Sequence, residues 1–365
     1  MSQWPGEVFY LFQLFLIAIT GAVFCWMPSL TRRDIFFAVT VSPDFPRSAE
    51  GARIRRSYQL WTGTQTAVAM ILVFAGWKLG RPWLALTAPY WLLAAALPAF
   101  LWARRRAQAH ATAPSTVREA GLQTRTLGAL QHPILQTGPF AILLAAAIYL
   151  WKRWDDIPAR FPIHWDFNGV ANGWAHKNFA GVFGILLGGA VLCAMLLMMN
   201  VLILHATRQI SARGAAAERE SRFRRTQVGV VLGSEYFLAL LMAGCALLPL
   251  LNAESINGMM GGILALSLAF VTIVIVVLAH TGQGGERLAP EAAATEAAAP
   301  VGDRTSDACW KAGIFYVNRD DPAVLVEKRF GLGYTLNFGN PRSWLLLAAV
   351  VVVSAALILG LRLAK

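Results

Sequence analysis

The sequence predicts an all-α polytopic membrane protein of about eight transmembrane helices, with a small β-rich module on the cytoplasmic side. Three observations predict it. Of the 365 residues, 56% are hydrophobic and only 14% charged, against about 25% charged in an average soluble domain. Eight stretches are each long and apolar enough to cross the roughly 30 Å of hydrocarbon in a bilayer. Finally, the basic residues fall unevenly on the two sides that those stretches define. This composition excludes a disordered chain and a disulfide-rich secreted fold, and it makes the lipid bilayer the first partner.

The stretches run from Val8 to Pro28, Leu60 to Leu79, Trp83 to Trp102, Ile134 to Trp151, Asn178 to His205, Gln227 to Leu251, Gly258 to His280 and Trp344 to Leu361. With the N-terminus outside, 24 of the 32 Lys and Arg lie on the inner side and eight on the outer. Adding or removing one helix would put basic loops on both sides, so the bias orients the chain with both termini outside. The net charge of +12 is thereby absorbed by positive-inside anchoring, and no nucleic-acid partner is expected. The leader Met1 to Glu7 has no Lys or Arg, so the first stretch reads as a retained anchor rather than a cleaved signal. Cys25, Cys193, Cys245 and Cys309 form no C-x-x-C pair, and no metal site or cofactor is expected.

The predicted organisation is a membrane domain of seven helices over residues 1–280, a linker over 281–309, a cytoplasmic module over 310–342, and the last helix and tail over 343–365. Gly282 to Asp307 is rich in Ala, Glu, Pro and Gly, the composition of a flexible connector. From Trp310, aromatic and β-branched runs alternate with Asn-Arg-Asp-Asp-Pro and Gly-Leu-Gly breaks, which read as short strands and turns. About 30 residues are too few to be stable alone, so the module should lean on the bilayer or the inner loops. The inner loop Ser29 to Gln59, with a short apolar run at Phe36 to Val41, reads as a solvated segment facing lipid headgroups. The pairs Gly229-x-x-x-Gly233, Gly184-x-x-x-Gly188 and Gly258-x-x-Gly261-Gly262 read as close helix contacts.

The outer loop of residues 152–177 is the most unusual segment. Pro158 and Pro162 favour extended backbone, and Asn168-Gly169 and Asn172-Gly173 read as two tight turns. Around them stand His164, Asp166, His176 and Lys177, interleaved with Trp165, Phe167 and Trp174. His164 with Asp166 offers a metal pair, a proton acceptor or a recognition surface, and two groups are too few for zinc. His164 and Asn168 also suit simple capping of the loop through backbone hydrogen bonds. Within the spans, Glu235 is the one carboxylate, and an ionisable group at that depth is a functional candidate by default. Asn200, Gln65 and Gln13 are its candidate partners. No H-E-x-x-H, G-x-S-x-G or G-x-x-x-x-G-K-[ST] occurs, so no enzyme is expected.

Pro162, Ile163, His164, Trp165, Asn168, Gly169, Asn172, Gly173, Trp174 and Lys177 resemble the loop signature of a bacterial multi-spanning membrane family that includes SdpI-like immunity and signalling proteins. Phe37, Val39, Pro43, Arg55 and Tyr58 are similar to a second stretch of that family. Trp310, Gly313, Tyr316, Asn318, Asp321, Val326, Lys328, Arg329, Gly331, Gly333, Thr335 and Asn337 resemble a small uncharacterised module attached to such proteins. The resemblance implies a multi-pass protein of the bacterial cytoplasmic (inner) membrane. It implies an envelope sensor, immunity or signalling role, with an external peptide or envelope ligand at the outer loop. A cytoplasmic protein partner at Trp310 to Pro341 is also implied. The alternative reading is a secondary transporter or proton-coupled channel using Glu235.

Overall fold

The computed structural model describes residues 4–113, 130, 132–165, 170–207, 214–251, 253–285, 287 and 305–363. Among them are eight helices long and apolar enough to span a membrane: α1 Trp4–Leu30, α2 Ala49–Lys78, α3 Pro82–Gln108, α4 Pro133–Lys152, α5 Phe179–His205, α6 Gly214–Ala246, α7 Ala253–Thr281 and α8 Pro341–Leu363. Two begin well before their apolar runs. Ser48 caps α2 by accepting from the Gly51 amide at 3.1 Å, twelve residues ahead of Leu60. The first turns of α6 carry Arg222 on Glu218 and Arg224 on Glu220, one-turn ion pairs that support helix outside the apolar stretch.

The helices pack as two groups. Tyr10, Ile17, Ala69, Val73, Ala85 and Leu92 form the core of α1–α3, and Leu143, Leu186, Cys193 and Ala239 lie in that of α4–α6. Helix α7 lies on α6, with Phe237 and Phe270 stacked at 4.3 Å, and α8 touches α5. Close approach is made at glycines other than those the spacing motifs predict. Gly21 against Thr66 and Gly138 against the Tyr236 hydroxyl leave no room for a Cβ, and a Cβ on Gly189 would meet Met242 at 3.0 Å. By contrast Gly188, Gly229, Gly233, Gly258, Gly261 and Gly262 have open space where a Cβ would go. A Gly-x-x-x-Gly pattern marks a surface that permits close packing, and at these six glycines no described residue approaches closely enough to use it.

Because successive spans alternate, the ends of α1, α3, α5 and α7 and the starts of α2, α4, α6 and α8 share one end of the bundle. The module builds a continuous layer there. Hairpin β1 Ile35–Phe36 with β2 Val39–Thr40 turns through Phe37 and Ala38, at φ 47° and 62°. Two left-handed residues in a two-residue hairpin make the turn that ordinarily takes Asn-Gly, and in L-residues with a Cβ it costs about 1–2 kcal/mol each. Arg104 offsets that cost by donating to the Ala38 carbonyl at 2.6 Å. The Phe37 ring also packs on Tyr58, Phe100 and Phe330 at 5.0, 6.4 and 5.7 Å. Every residue from Asp34 to Val41 is buried, which corrects the reading of this loop as solvated. Its apolar run faces protein, because the module covers it.

The module consists of hairpins β5 Trp310–Lys311 with β6 Phe315–Tyr316, and β7 Leu325–Glu327 with β8 Tyr334–Leu336. Asn337, fully buried, ties them by donating to the Asn318 and Asp321 carbonyls at 2.8 and 3.0 Å. Its outer contacts reach both helix groups. Arg32, just beyond α1, pairs with Glu327, and Arg104 of α3 donates to the Trp310 carbonyl at 3.5 Å. The carbonyl after α5, on Ala206, accepts from Val324 and Leu325 at 3.2 and 3.1 Å. Beyond α7, Gln283 makes two bonds to the Gly333 backbone, at 3.2 and 3.0 Å. Thr281 to Gly285, read from composition as the start of the linker, therefore belong to this packed layer.

Candidate functional site

The opposite end of the bundle carries the segment that the sequence singles out. It folds as a hairpin, β3 Arg160–Trp165 with β4 Ala171–His176, standing on α4 and α5. Proline at 158 and 162 keeps β3 extended, and Asn178 closes the return by capping α5, its Oδ1 accepting from the Gly181 amide at 2.7 Å. Phe161, Ala175 and the preceding Ile157 are buried against the α4–α6 core, so the hairpin is fixed on that core along one face.

The register explains the other face. Pro162 stands opposite Trp174 and His164 opposite Gly173, so Ile163 is an extra residue on β3; Trp165 then pairs with Ala171, so Asn172 is the compensating extra residue on β4. Bulges re-aim side chains, and here they bring the His164 Nδ1 onto the Asn172 Oδ1. Asn172-Gly173 is thus part of a strand and not a tight turn. Its glycine is required because a Cβ there would come within 2.7 Å of His164 Cβ. Pro162, Trp165 and Gly173 are half-buried, and His164, Asn172 and His176 are exposed. Trp174 is 44% exposed, and Ile163 and Val170 are 51% and 61% exposed. The guanidinium of Arg160 lies 4.7 Å from the Trp174 ring and the Lys177 ammonium 5.5 Å from Trp154, contacts of the cation–π type. Asp166, Asn168 and Gly169 lie outside the described residues.

The hairpin brings together His164, Asn172, Gly173, Trp174 and Pro162, and sets His176 apart, opposite Arg160 at the base of the strands. His176 therefore does not complete a metal set with His164, and among the described residues no three His, Cys, Asp or Glu converge. Sequence reading missed Arg160 and Trp154. Arg160 opens β3, and its partner could be named only once the register was known; Trp154 lies in a short 3-10 helix before the strand, where nothing in the sequence pairs it with Lys177. What the face offers is a rigid apolar and aromatic surface with exposed imidazole, amide and cationic groups.

Glu235, about two-thirds of the way along α6, is fully buried with both carboxyl oxygens unpaired among the described residues. Leu232 and Ala239 share its helix face and Cys193 of α5 lies across from it, its thiol donating to the Glu235 carbonyl at 3.7 Å. None of the three expected partners bonds to it. Gln65 accepts from Trp91 at 3.0 Å in the other helix group, Gln13 belongs to α1, and Asn200 of α5 is itself buried with neither side-chain atom bonded.

Two parts of the chain match family models. Residues 141–188, from within α4 through the hairpin into α5, match a domain of unknown function (DUF1648). Residues 319–344, from the second half of the module into α8, match a family of unknown function (DUF5808). No curated protein and no solved structure matches the chain. The chain is an integral membrane protein by its eight apolar helices, and its two matched regions are the hairpin with its flanking helices and the module at the opposite end.

Proposed function

We propose that the chain is an envelope sensor, immunity or signalling protein of the SdpI-like type in the bacterial cytoplasmic membrane, with hairpin β3–β4 outside and the module inside. The observation that carries this reading is the two-faced hairpin. Phe161 and Ala175 fix one face on the helix core and leave Trp174, Ile163, Val170, His164 and Asn172 exposed on the rest. Aromatic residues on a rigid frame are effective anchors for a bound peptide, and Arg160 and Lys177 add cationic groups for an acidic or carboxylate-bearing ligand. The orientation is argued from the sequence, which assigns 24 of the 32 Lys and Arg to segments between spans on the module side, the side that positive-inside topology makes cytoplasmic. The module then presents its surface to a cytoplasmic protein partner.

The test is a set of single substitutions, His164→Ala, Asn172→Ala and Trp174→Ala, in cells challenged with an envelope-active peptide or scored for the signalling output. Loss of protection or output with normal membrane insertion is the expected result. Unchanged phenotypes for all three would remove the hairpin from the mechanism. Orientation is read separately, by impermeant thiol labelling of intact cells: Asn172→Cys reacts from outside and Cys309 does not.

A second reading is favoured by Glu235, whose buried and unpaired carboxyl is costly in an apolar core. Under it the chain is a secondary transporter or proton-coupled channel. Substrate flux in proteoliposomes that Glu235→Gln abolishes would support it, and wild-type flux in that variant would exclude it.

A further inference from the structure

Glu235 is the deepest member of a column of buried polar side chains along α6. Glu220, Arg224 and Gln227 are each less than 10% exposed, and helical spacing puts them on one stripe that continues toward Glu235. The contact between Cys193 and Glu235 fixes the register of α5 on antiparallel α6. Asn200, seven residues further along α5, is therefore about 10 Å nearer the module end and level with Gln227 and Val228. Among these groups the Gln227 Nε2, both side-chain atoms of Asn200 and both Glu235 oxygens are buried without a protein partner among the described residues, and the Tyr334 hydroxyl lies beside the Arg224 guanidinium. Buried polar atoms in folded proteins are satisfied by protein or by bound water with few exceptions. These five orphaned atoms, on facing positions of α5 and α6 beside the apolar cluster of Ile203, Leu204 and Val228, are groups that bound water would satisfy.

The mouth of the column lies in the module. A Cβ on Gly333 would be 3.4 Å from Gln227 Oε1, Tyr334 packs on Phe223 at 5.8 Å, and Gln283 is hydrogen-bonded to Gly333. Among the described residues no such row of polar side chains continues toward the hairpin end. Beyond Glu235 the α4–α6 core is Ala239, Ala243, Ala246, Leu143, Leu150 and Leu186. From the helices packed on α6, the titratable groups on the Glu235 side are few: Cys193 on α5 faces it, Tyr149 and Lys152 stand at the far end of α4, and His205 and His280 lie at the module ends of α5 and α7. Arg224 and Glu220 form the nearest ion pair, at 3.0 Å.

We propose that Glu235 is a proton-binding site that exchanges with the module side only, through a hydrated column lined by Asn200, Gln227 and Tyr334. A hydronium arriving along the column leaves its proton on a Glu235 oxygen, giving the neutral acid, and departs as water; release reverses the step. The inference deepens the second reading of function, on which it rests, by naming the side from which the carboxyl is reached; carboxyl exchange and Ag+ access are read without any flux, so its failure is distinguishable from the failure of that reading.

The test uses the full chain in liposomes and two readouts. Infrared difference spectra give the hydrogen–deuterium exchange rate of a protonated carboxyl band, assigned by its loss in Glu235→Gln. Asn200→Leu slows that exchange about tenfold or more, equivalent to about 1.4 kcal/mol of barrier, while Asn200→Ser stays near wild type. Gln227→Leu, at the mouth, has the same sense as Asn200→Leu and serves if the latter does not fold. For sidedness, Asn200→Cys in a background with the four native cysteines changed to serine is exposed to Ag+, a thiol-reactive cation of near-water size. It reacts from the module side and not from the hairpin side. A carboxyl band unchanged in Glu235→Gln, exchange unaffected by both leucine variants, or Ag+ reaction from the hairpin side or from neither side each overturns the proposal.

Discussion

Arg329 ties the start of the module to its second half and, through Ala38 and the Asp307–Thr40 contact, to the first inner loop, and its removal gives a quantitative test. It is 2% exposed, pairs with Asp307, donates to the Thr305 carbonyl at 2.5 Å and to the Ala38 carbonyl at 3.4 Å, and lies 5.3 Å from the Trp310 ring. Arg329→Met keeps most of the volume and removes every polar contact. A hydrogen bond to a charged group contributes about 1.5–3 kcal/mol, and breaking one half of a buried ion pair costs about 3–5 kcal/mol. Asp307 keeps the Thr40 hydroxyl at 2.7 Å and is partly exposed, which places the loss near the lower bound, about 3–4 kcal/mol. At 1.4 kcal/mol per tenfold, the undocked module becomes about 10²–10³ times more populated. Cys309, half-buried at the start of β5, reports that population by its thiol-labelling rate in a protein whose other three cysteines are serine. A rate rising by about that factor, with Arg329→Lys intermediate because ammonium lacks the guanidinium fork, is the expected result. Labelling within about twofold of wild type would refute the view that the buried Arg329 contacts hold the module.

Three further outcomes follow from close contacts and burial. Gly138→Ala drives a methyl into the Tyr236 hydroxyl that donates to Leu135 and lowers thermal stability by about 1–3 kcal/mol, whereas Gly229→Ala, in open space, raises it by up to about 1 kcal/mol; shifts of the same sign would contradict the packing. Gly173→Ala displaces His164 and reproduces the His164→Ala phenotype, while the melting of the helical bundle stays unchanged in circular dichroism. Burial pushes the Tyr334 phenol well above its usual value, so the packed state keeps the proton after the released state has lost it. Docking is therefore at full strength below pH about 10 and weakens as pH rises beyond it, a loss that limited proteolysis of the module detects and Tyr334→Phe removes.

How far the fold was legible follows from which physical signal each part carries. The spans were legible because hydropathy and the charge bias act along the chain, without reference to tertiary contacts. The early starts of α2 and α6 were less so, since Ser48 capping and the Arg224–Glu220 pair are local polar devices outside the apolar windows. The strands of the module were visible as β-branched and aromatic runs, but its seat was not. The signal lay in the first loop, where Ile35 to Ala38 is an uninterrupted apolar run in a segment taken as solvated, and such a run needs a cover. The Phe37-Ala38 turn was hidden because it lacks the Asn-Gly that marks its type, and contacts from Arg104 and Phe330, distant in sequence, compensate for that. In the candidate site, the sequence marks a segment and not its geometry: Asn172-Gly173 has turn chemistry, yet a paired bulge places it in a strand.

Helix α5 connects the two matched regions physically, and that connection yields a last prediction. Its 27 residues span about 40 Å. At one end Asn178 caps it, and the preceding Lys177 amide bonds to the Ala159 carbonyl at 3.0 Å, so a force on the hairpin is applied to the helix start. At the other end the Ala206 carbonyl accepts two module amides, and Thr207 bridges to Leu325. Leu325, 2% exposed, is packed among Ile203, Leu204 and Val228. A helix held at both ends moves as a unit, so hairpin occupancy and module position are coupled if ligand shifts α5 relative to α6. Leu325→Ala costs about 2–5 kcal/mol of packing at that junction and loosens it without touching the hairpin. Ligand affinity of the hairpin should then stay within about twofold for a junction that only transmits, and a change in Cys309 labelling on ligand addition should disappear. A Leu325→Ala protein whose Cys309 still responds to ligand as the wild type does would mean that the signal travels by another route than α5.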